Sequence, residues 1–261
     1  MSKLIPIKFL NTWISNIEDP LKFSLKYVIR PESVLHCGSH LGQEYDVYVS
    51  RSVKNIWWLE AQAKICSELR SKFGHEMVIQ GALWSQKDQT IDFHITNNNL
   101  SSSIYEIGTN SWNVENISIE KVKTLTLDHV IADIKSSTQI IPDLVVLDLQ
   151  GAEYEAIIGG KLELPTVKFL LVEVSKSPIY LGAPSYEDLR QILESLQFQP
   201  IREFIDPDTG HGEVIFARKK LKKIKAARMS SAVFIHPFIK KLNSFLRRVD
   251  HKLNTLLRYL K

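Results

Sequence analysis

The sequence has only two cysteines, Cys37 and Cys66, in 261 residues. That is too few for a disulfide framework or a cysteine-based metal cluster, so a reducing, cytoplasmic compartment is expected. Long apolar runs are also missing: none approaches the roughly 20 residues that a membrane-spanning helix needs. The stretch from Met1 to Lys8 lacks the continuous apolar core and the small-residue cleavage site of a secretory signal. Nor does the chain carry the Gly-x-Gly-x-x-Gly fingerprint of dinucleotide binders or the Lys-Ser/Thr of a P-loop, which argues against a nicotinamide-dependent oxidoreductase. What remains is 44% hydrophobic and 24% charged, the balance of an ordinary globular chain, and long enough for one α/β domain with an appendage.

The formal charge of +4 conceals an uneven distribution. Residues 219–261 hold 13 Lys and Arg against one acid, Asp250, whereas the preceding 218 residues hold 20 bases against 28 acids. An acidic body, residues 1–218, is thus followed by a basic tail, residues 219–261, and the two are expected to have different roles.

In the body, short apolar runs alternate with helical patterns, which points to βαβ units and a mainly parallel sheet. Strands are expected at Ser33–Cys37, Asn55–Glu60, Met77–Ala82, Leu144–Leu149 and Lys168–Val174. Their near-continuous apolarity suits strands covered on both faces. Helices are expected near Gly42–Ser50, Ala61–Phe73, Leu125–Ile134, Ala152–Gly159 and Tyr186–Leu196, the last opened by Ser185 with Asp188 three residues on. Gln199–Ile205 and Glu213–Lys219 flank a turn-rich connection and must pair antiparallel. A further pair, Thr90–Ile95 and Ile119–Thr124, brackets the polar stretch Asn97–Ser103, placed on a loop able to reach over a site. The first 30 residues are expected to form helices packed on the domain.

In an open parallel sheet, ligands bind beyond the carboxyl ends of the strands where the strand order reverses. The first strand ends in His36-Cys37-Gly38-Ser39-His40-Leu41-Gly42, where glycine permits a tight turn and close approach to a ligand. Spacing alone leaves this open, since any α/β protein can carry such a turn. The second strand adds Glu60, an acid suited to accept both hydroxyls of a ribose. The third ends in Gln80-Gly81-Ala82-Leu83-Trp84, which could wall an adenine.

These blocks, with Trp58-Leu59-Glu60-Ala61, Ser101-Ser102-Ser103, Thr126-Leu127-Asp128, Leu147-Asp148-Leu149-Gln150-Gly151-Ala152-Glu153 and Val172-Glu173-Val174, resemble the FkbM methyltransferase family in order and spacing over roughly residues 33–216. The resemblance implies a Rossmann-like class I fold: a mainly parallel seven-stranded sheet ending in an antiparallel hairpin. It also implies S-adenosylmethionine as donor, and transfer to a hydroxyl, often on a sugar or polyketide. Cofactor-binding residues would be His36, Gly38, Ser39, His40, Gly42, Glu60, Ala61, Ala82, Leu83 and Asp148. One departure is His36, where many class I enzymes have an acid for the methionyl ammonium. A neutral imidazole can accept a hydrogen bond there, whereas an imidazolium repels the ammonium. A non-catalytic scaffold with a degenerate methyltransferase domain is therefore kept as the alternative.

Methyl transfer needs an in-line approach and removal of the hydroxyl proton. Asp148 is the first candidate for base or substrate-orienting group, then Glu173, with His40 third. Ser102, Ser103, Gln150 and Glu153 are candidates for contact with the acceptor, although Glu153 also suits a purely structural place at a helix N-terminus. Mg²⁺ held by Asp148, Glu153 and Glu173 is conceivable but has no spacing signature. His94, His129 and His211 are read as surface or packing residues. Trp57 and Trp58 are assigned to the sheet, and Trp84 and Trp112 to stacking.

In the tail, Pro237 can open a helix whose apolar residues, Phe238, Leu242, Phe245, Val249, Leu253, Leu256 and Leu260, follow an 11-residue period. A basic amphipathic helix of this kind suits an anionic membrane surface or a contact with its own domain or another copy. Nucleic acid is not expected, because the tail has few aromatics and no recognised motif.

Overall fold

The computed structural model describes residues 19–108, 114–176 and 179–221. The expectations for the N-terminal helices before residue 19, for Trp112 and for the basic tail from residue 222 lie outside the described residues. A short N-terminal segment contains α1 (Pro20–Phe23), capped by the Asp19 side chain, which accepts from Lys22 N, and a π-helical turn over Ser24–Val28. The body, Ile29–Leu221, is a separate compact unit.

Five parallel strands form the centre of the body: β1 (Ser33–Cys37), β2 (Asn55–Glu60), β3 (Val78–Gln80), β7 (Leu144–Leu147) and β8 (Phe169–Ser175). Every residue of β1 and β7 is buried, as expected for central strands covered on both faces. The hairpin β9 (Phe198–Ile205) and β10 (His211–Arg218) completes the sheet, with β10 antiparallel to β8. The order is β3-β2-β1-β7-β8-β10-β9. This is the seven-stranded layout that the resemblance implies, and the order reverses between β1 and β7.

The helices are α2 (Tyr45–Ser50), α3 (Ala63–Phe73), α4 (Leu127–Thr138), α5 (Glu153–Ile158) and α6 (Tyr186–Ser195). Leu127 and Ile131 of α4, Ile157 of α5 and Leu193 of α6 join Leu35, Val145 and Leu170 of the sheet in one fully buried core. Ser185 and Asp188 form the expected capping box on α6, while α4 is opened by Thr126, whose hydroxyl accepts from His129 N.

Two strands end earlier than the sequence predicts. The run expected at Met77–Ala82 breaks at Gly81, whose φ of +156° swings the chain out of the main sheet. Beyond it β4 (Ala82–Leu83) pairs with β6 (Asn116–Leu125), which pairs antiparallel with β5 (Thr90–Thr96), making a separate three-stranded sheet. The run expected at Leu144–Leu149 stops at Leu147. Asp148 N still donates to Cys37 O, but Leu149 N and Gly151 N donate to the Glu153 carboxylate instead of to a strand. A side chain thus takes over the ladder's hydrogen bonds and turns the chain.

Candidate cofactor and acceptor site

A cavity of about 430 Å³ opens at the carboxyl ends of β1, β2 and β7, within the usual size of a small-molecule site. Its floor depends on Gly38. With φ at +77°, this residue lets the chain leave β1 so closely against β7 that a Cβ would lie 1.7 Å from the Asp148 carbonyl oxygen. Of the residues expected to bind the cofactor, all but Gly42 line this one cavity. Gly42 instead backs the turn, where an added Cβ would lie 2.7 Å from the Phe73 ring.

Glu60, at the end of β2, is 5% exposed. His40 N donates to one carboxylate oxygen at 3.0 Å and Gln62 N to the other at 2.9 Å. Burial raises its pKa, and these backbone donors oppose the rise. Backbone donors thus hold the carboxylate at the end of β2, where its oxygens face the cavity. Ala61, Ala82 and Leu83 form an apolar wall beside it.

His36 also lines the cavity. Its Nδ1 is 2.9 Å from the Tyr48 hydroxyl, and its ring lies 5.5 Å from that of Trp58, which in turn stacks on Phe73. Burial lowers its pKa to about 4, outweighing the opposing effect of Asp148. At neutral pH this is the uncharged imidazole, which does not repel a cationic ligand. Trp57 and Trp58 lie in the sheet, both buried.

Past β7 the acids gather, and hydrogen bonds within the protein sort them. The Glu153 carboxylate faces the turn of residues 149–151, accepting from Leu149 N at 2.7 Å and Gly151 N at 3.1 Å. Burial, with some help from Asp148, pushes its pKa up to about 7. Asp148 lines the cavity, whereas Glu173 lies behind it. The Gln150 amide spans the two, Nε2 donating to Asp148 Oδ1 at 2.6 Å and to Glu173 Oε2 at 2.8 Å. Glu173 has a pKa raised well above the carboxylate range by burial and then by the Asp148 and Glu153 charges.

His211, read from sequence as a surface or packing residue, belongs to this cluster. Its Nε2 is 2.9 Å from Glu173 Oε1 and its ring lines the cavity. The register explains the miss: Gly212 pairs with Val174 and Glu213 with Glu173 across the antiparallel pair, which brings His211 diagonally next to Glu173. Only the hairpin register, not local sequence, carries that signal. Tyr180 is a second residue that the sequence did not mark. Its hydroxyl donates to Gln150 Oε1 at 2.6 Å.

The polar stretch after β5 does reach the cavity, which Asn98, Leu100 and Ser102 line. Ser102 Oγ accepts from Thr96 N, and Ser103 Oγ donates to Gln150 O at 2.8 Å. Ser103 therefore fastens the loop to the turn after β7, outside the cavity lining. Trp84 lies near Tyr105, ring centres 5.9 Å apart. Among the described residues no group of three His, Cys, Asp or Glu side chains is placed to hold a metal ion.

A sheet of this order, with a glycine turn after β1 and an acid closing β2, has the layout of a class I methyltransferase. The family model for the methyltransferase FkbM domain matches residues 36–200, and the chain belongs to that family. A curated relative, the 2-O-methyltransferase NoeI of Sinorhizobium fredii (strain NBRC 101917 / NGR234), is 36% identical over 80 residues, 30% of this chain and 31% of the relative. The match thus spans about a third of that protein's length. Among solved structures, magnesium protoporphyrin IX methyltransferase from Synechocystis PCC 6803 with bound SAM is 12% identical, covering 84% of this chain and 87% of that one, with a TM-score of 0.39. The 1,6-didemethyltoxoflavin-N1-methyltransferase of Burkholderia thailandensis is 11% identical, covering 84% and 92%, also with a TM-score of 0.39.

Proposed function

We propose that the protein transfers a methyl group from S-adenosylmethionine to a hydroxyl of a sugar or glycan. The observation that carries this reading is the placement of Asp148. Its carboxylate lies on the wall of the cavity that Glu60 also lines, held by an amide, with His211 and the loop of Asn98 and Ser101 sharing the same lining. A rim of amides, hydroxyls and one carboxylate suits a polyhydroxylated acceptor. The family and the short match to a 2-O-methyltransferase point the same way.

When bound, the cofactor supplies a methyl group activated on a sulfonium. The chain supplies the rest. Glu60 would accept the ribose hydroxyls, Ala82 and Leu83 would wall the adenine, and the neutral His36 would accept a hydrogen bond from the methionyl ammonium. Asp148 would accept a hydrogen bond from the acceptor hydroxyl, orient that oxygen, and take its proton as the oxygen gains the methyl group that the sulfonium gives up. Glu173 supports this arrangement from behind Gln150, and Glu153 holds the turn. Ser102, Ser103 and Gln150 shape the acceptor end, and His40 closes the cofactor end.

The test uses donor labelled in the methyl group and a panel of mono- and oligosaccharides. Label should appear as a methyl ether on a carbohydrate oxygen. Asp148→Ala should still bind S-adenosylhomocysteine in calorimetry while transfer falls by about 10²- to 10⁴-fold. Label carried only by nitrogen or carboxyl acceptors, or undiminished turnover by Asp148→Ala, would overturn the reading.

A further inference from the structure

Gln150 adopts φ +56°, a left-handed conformation that residues with a Cβ avoid, and is followed by Gly151 at +103°. The turn gives Leu149 N and Gly151 N to the Glu153 carboxylate. It also places the Gln150 side-chain amide. Nε2 lies between Asp148 Oδ1 and Glu173 Oε2, at 2.6 and 2.8 Å, and Oε1 faces the Tyr180 hydroxyl at 2.6 Å. The orientation with Nε2 toward Asp148 pairs a donor with an acceptor on both sides of the amide. Reversed, its oxygen would be set against Asp148 Oδ1 at 2.6 Å, acceptor against acceptor.

Tyr180 is built to enforce that orientation. Its side chain is buried, and its ring covers Gly151 so closely that a Cβ there would lie 3.1 Å from it. Its backbone is fixed as well, through a bridge to Ile107 and a hydrogen bond from Leu181 N to Glu106 O. The same hydroxyl lies 3.1 Å from Ser101 O, within the loop that lines the cavity, and Ser103 Oγ donates to Gln150 O. One phenol therefore touches both the amide that holds the carboxylates and the loop above them.

We propose that Tyr180 and Gln150 are positioning residues for methyl transfer. Tyr180 sets the Gln150 amide, the amide holds the Asp148 carboxylate on the cavity wall, and the shared hydroxyl makes the Ser101–Ser103 loop settle together with it. The kinetic part rests on Asp148 facing the acceptor, as argued above. The coupling between Tyr180, the amide and the loop does not.

Tyr180→Phe keeps the ring on Gly151 and removes only the hydroxyl, so the fold is retained. In ¹H–¹⁵N spectra of the full chain, the Gln150 side-chain amide, identified by its loss in Gln150→Ala, should exchange slowly with solvent. In Tyr180→Phe it should exchange about tenfold faster or more, together with backbone amides of 101–103. With the acceptor that the wild-type chain methylates, Tyr180→Phe should lower kcat about tenfold or more with little change in the KM for S-adenosylmethionine. Adding Tyr180→Phe to Gln150→Ala should then cost less than Tyr180→Phe does alone, because only the contact with Ser101 O remains to be lost. Unchanged amide and loop exchange in Tyr180→Phe, or additive losses in the double variant, would overturn the proposal. Full activity of Asp148→Ala would instead refute the functional reading and leave the exchange result to decide the coupling.

Discussion

His36 is a titratable base held among aromatic rings, and this fixes its charge state. Its folded pKa of about 4 lies below the ordinary 6.5 because burial disfavours the imidazolium. Between pH 4 and 6.5 the unfolded chain binds the proton that the folded chain refuses, so stability rises with pH through that window and levels off above it. A shift of this size corresponds to about 3 kcal/mol. Glu60, Glu153 and Glu173 have raised pKa values and act in the opposite sense, but they do so with or without His36. Denaturant unfolding of wild type and His36→Gln should therefore show a stability difference that changes by about 3 kcal/mol between pH 7 and pH 4, wild type losing more toward acid. Parallel pH profiles for the two chains would show that His36 does not titrate in this way. The same neutrality removes the conflict read from sequence, in which a charged His36 would oppose the cofactor's ammonium.

At the scale of elements, the site depends on how closely β1 and β7 diverge. Gly38 and Gly182 make a useful pair: both have positive φ, +77° and +79°, but a Cβ at Gly182 meets nothing within 4 Å while one at Gly38 strikes the Asp148 carbonyl. Gly182→Ala should cost about 1 kcal/mol for the backbone conformation alone. Gly38→Ala must in addition push the end of β7 away, and should cost about 2–4 kcal/mol in denaturant unfolding. It should also weaken S-adenosylhomocysteine binding in calorimetry, since Asp148 moves with the strand. Equal losses at the two glycines would show that close approach does not matter. The strands that form this junction were legible because β1, β2 and β7 are mostly apolar and lead into Gly38, Glu60 and Asp148. The split at Gly81 was not, since apolar residues continue across it and only the pairing of β4 with β6 separates them. His211 and Tyr180 escaped notice for a related reason. Each reaches the acids through strand register or a loop bridge, and neither lies beside them in sequence.

Across the whole molecule, charge is divided between an acidic body and a basic tail, and none of the described helices is long and apolar enough to cross a membrane. An acidic body is repelled by an anionic lipid surface, so any attachment must come from the tail. Each Lys or Arg close to such a surface contributes about 1 kcal/mol, and salt screens that attraction over about 10 Å at 0.1 M. On the membrane reading, the 13 bases of residues 219–261 and the apolar period that runs with them would give salt-sensitive binding. In flotation with vesicles containing phosphatidylglycerol, the full chain should rise with the lipid at low salt, and much less of it should do so at 0.5 M. A chain ending at Leu221 should stay with the soluble fraction under both conditions while still binding S-adenosylhomocysteine. Equal flotation of the two chains would refute the membrane reading. If neither floats and the full chain alone sediments as an oligomer, the tail's apolar stripe serves contact between copies, and the acceptor then reaches Asp148 from solution.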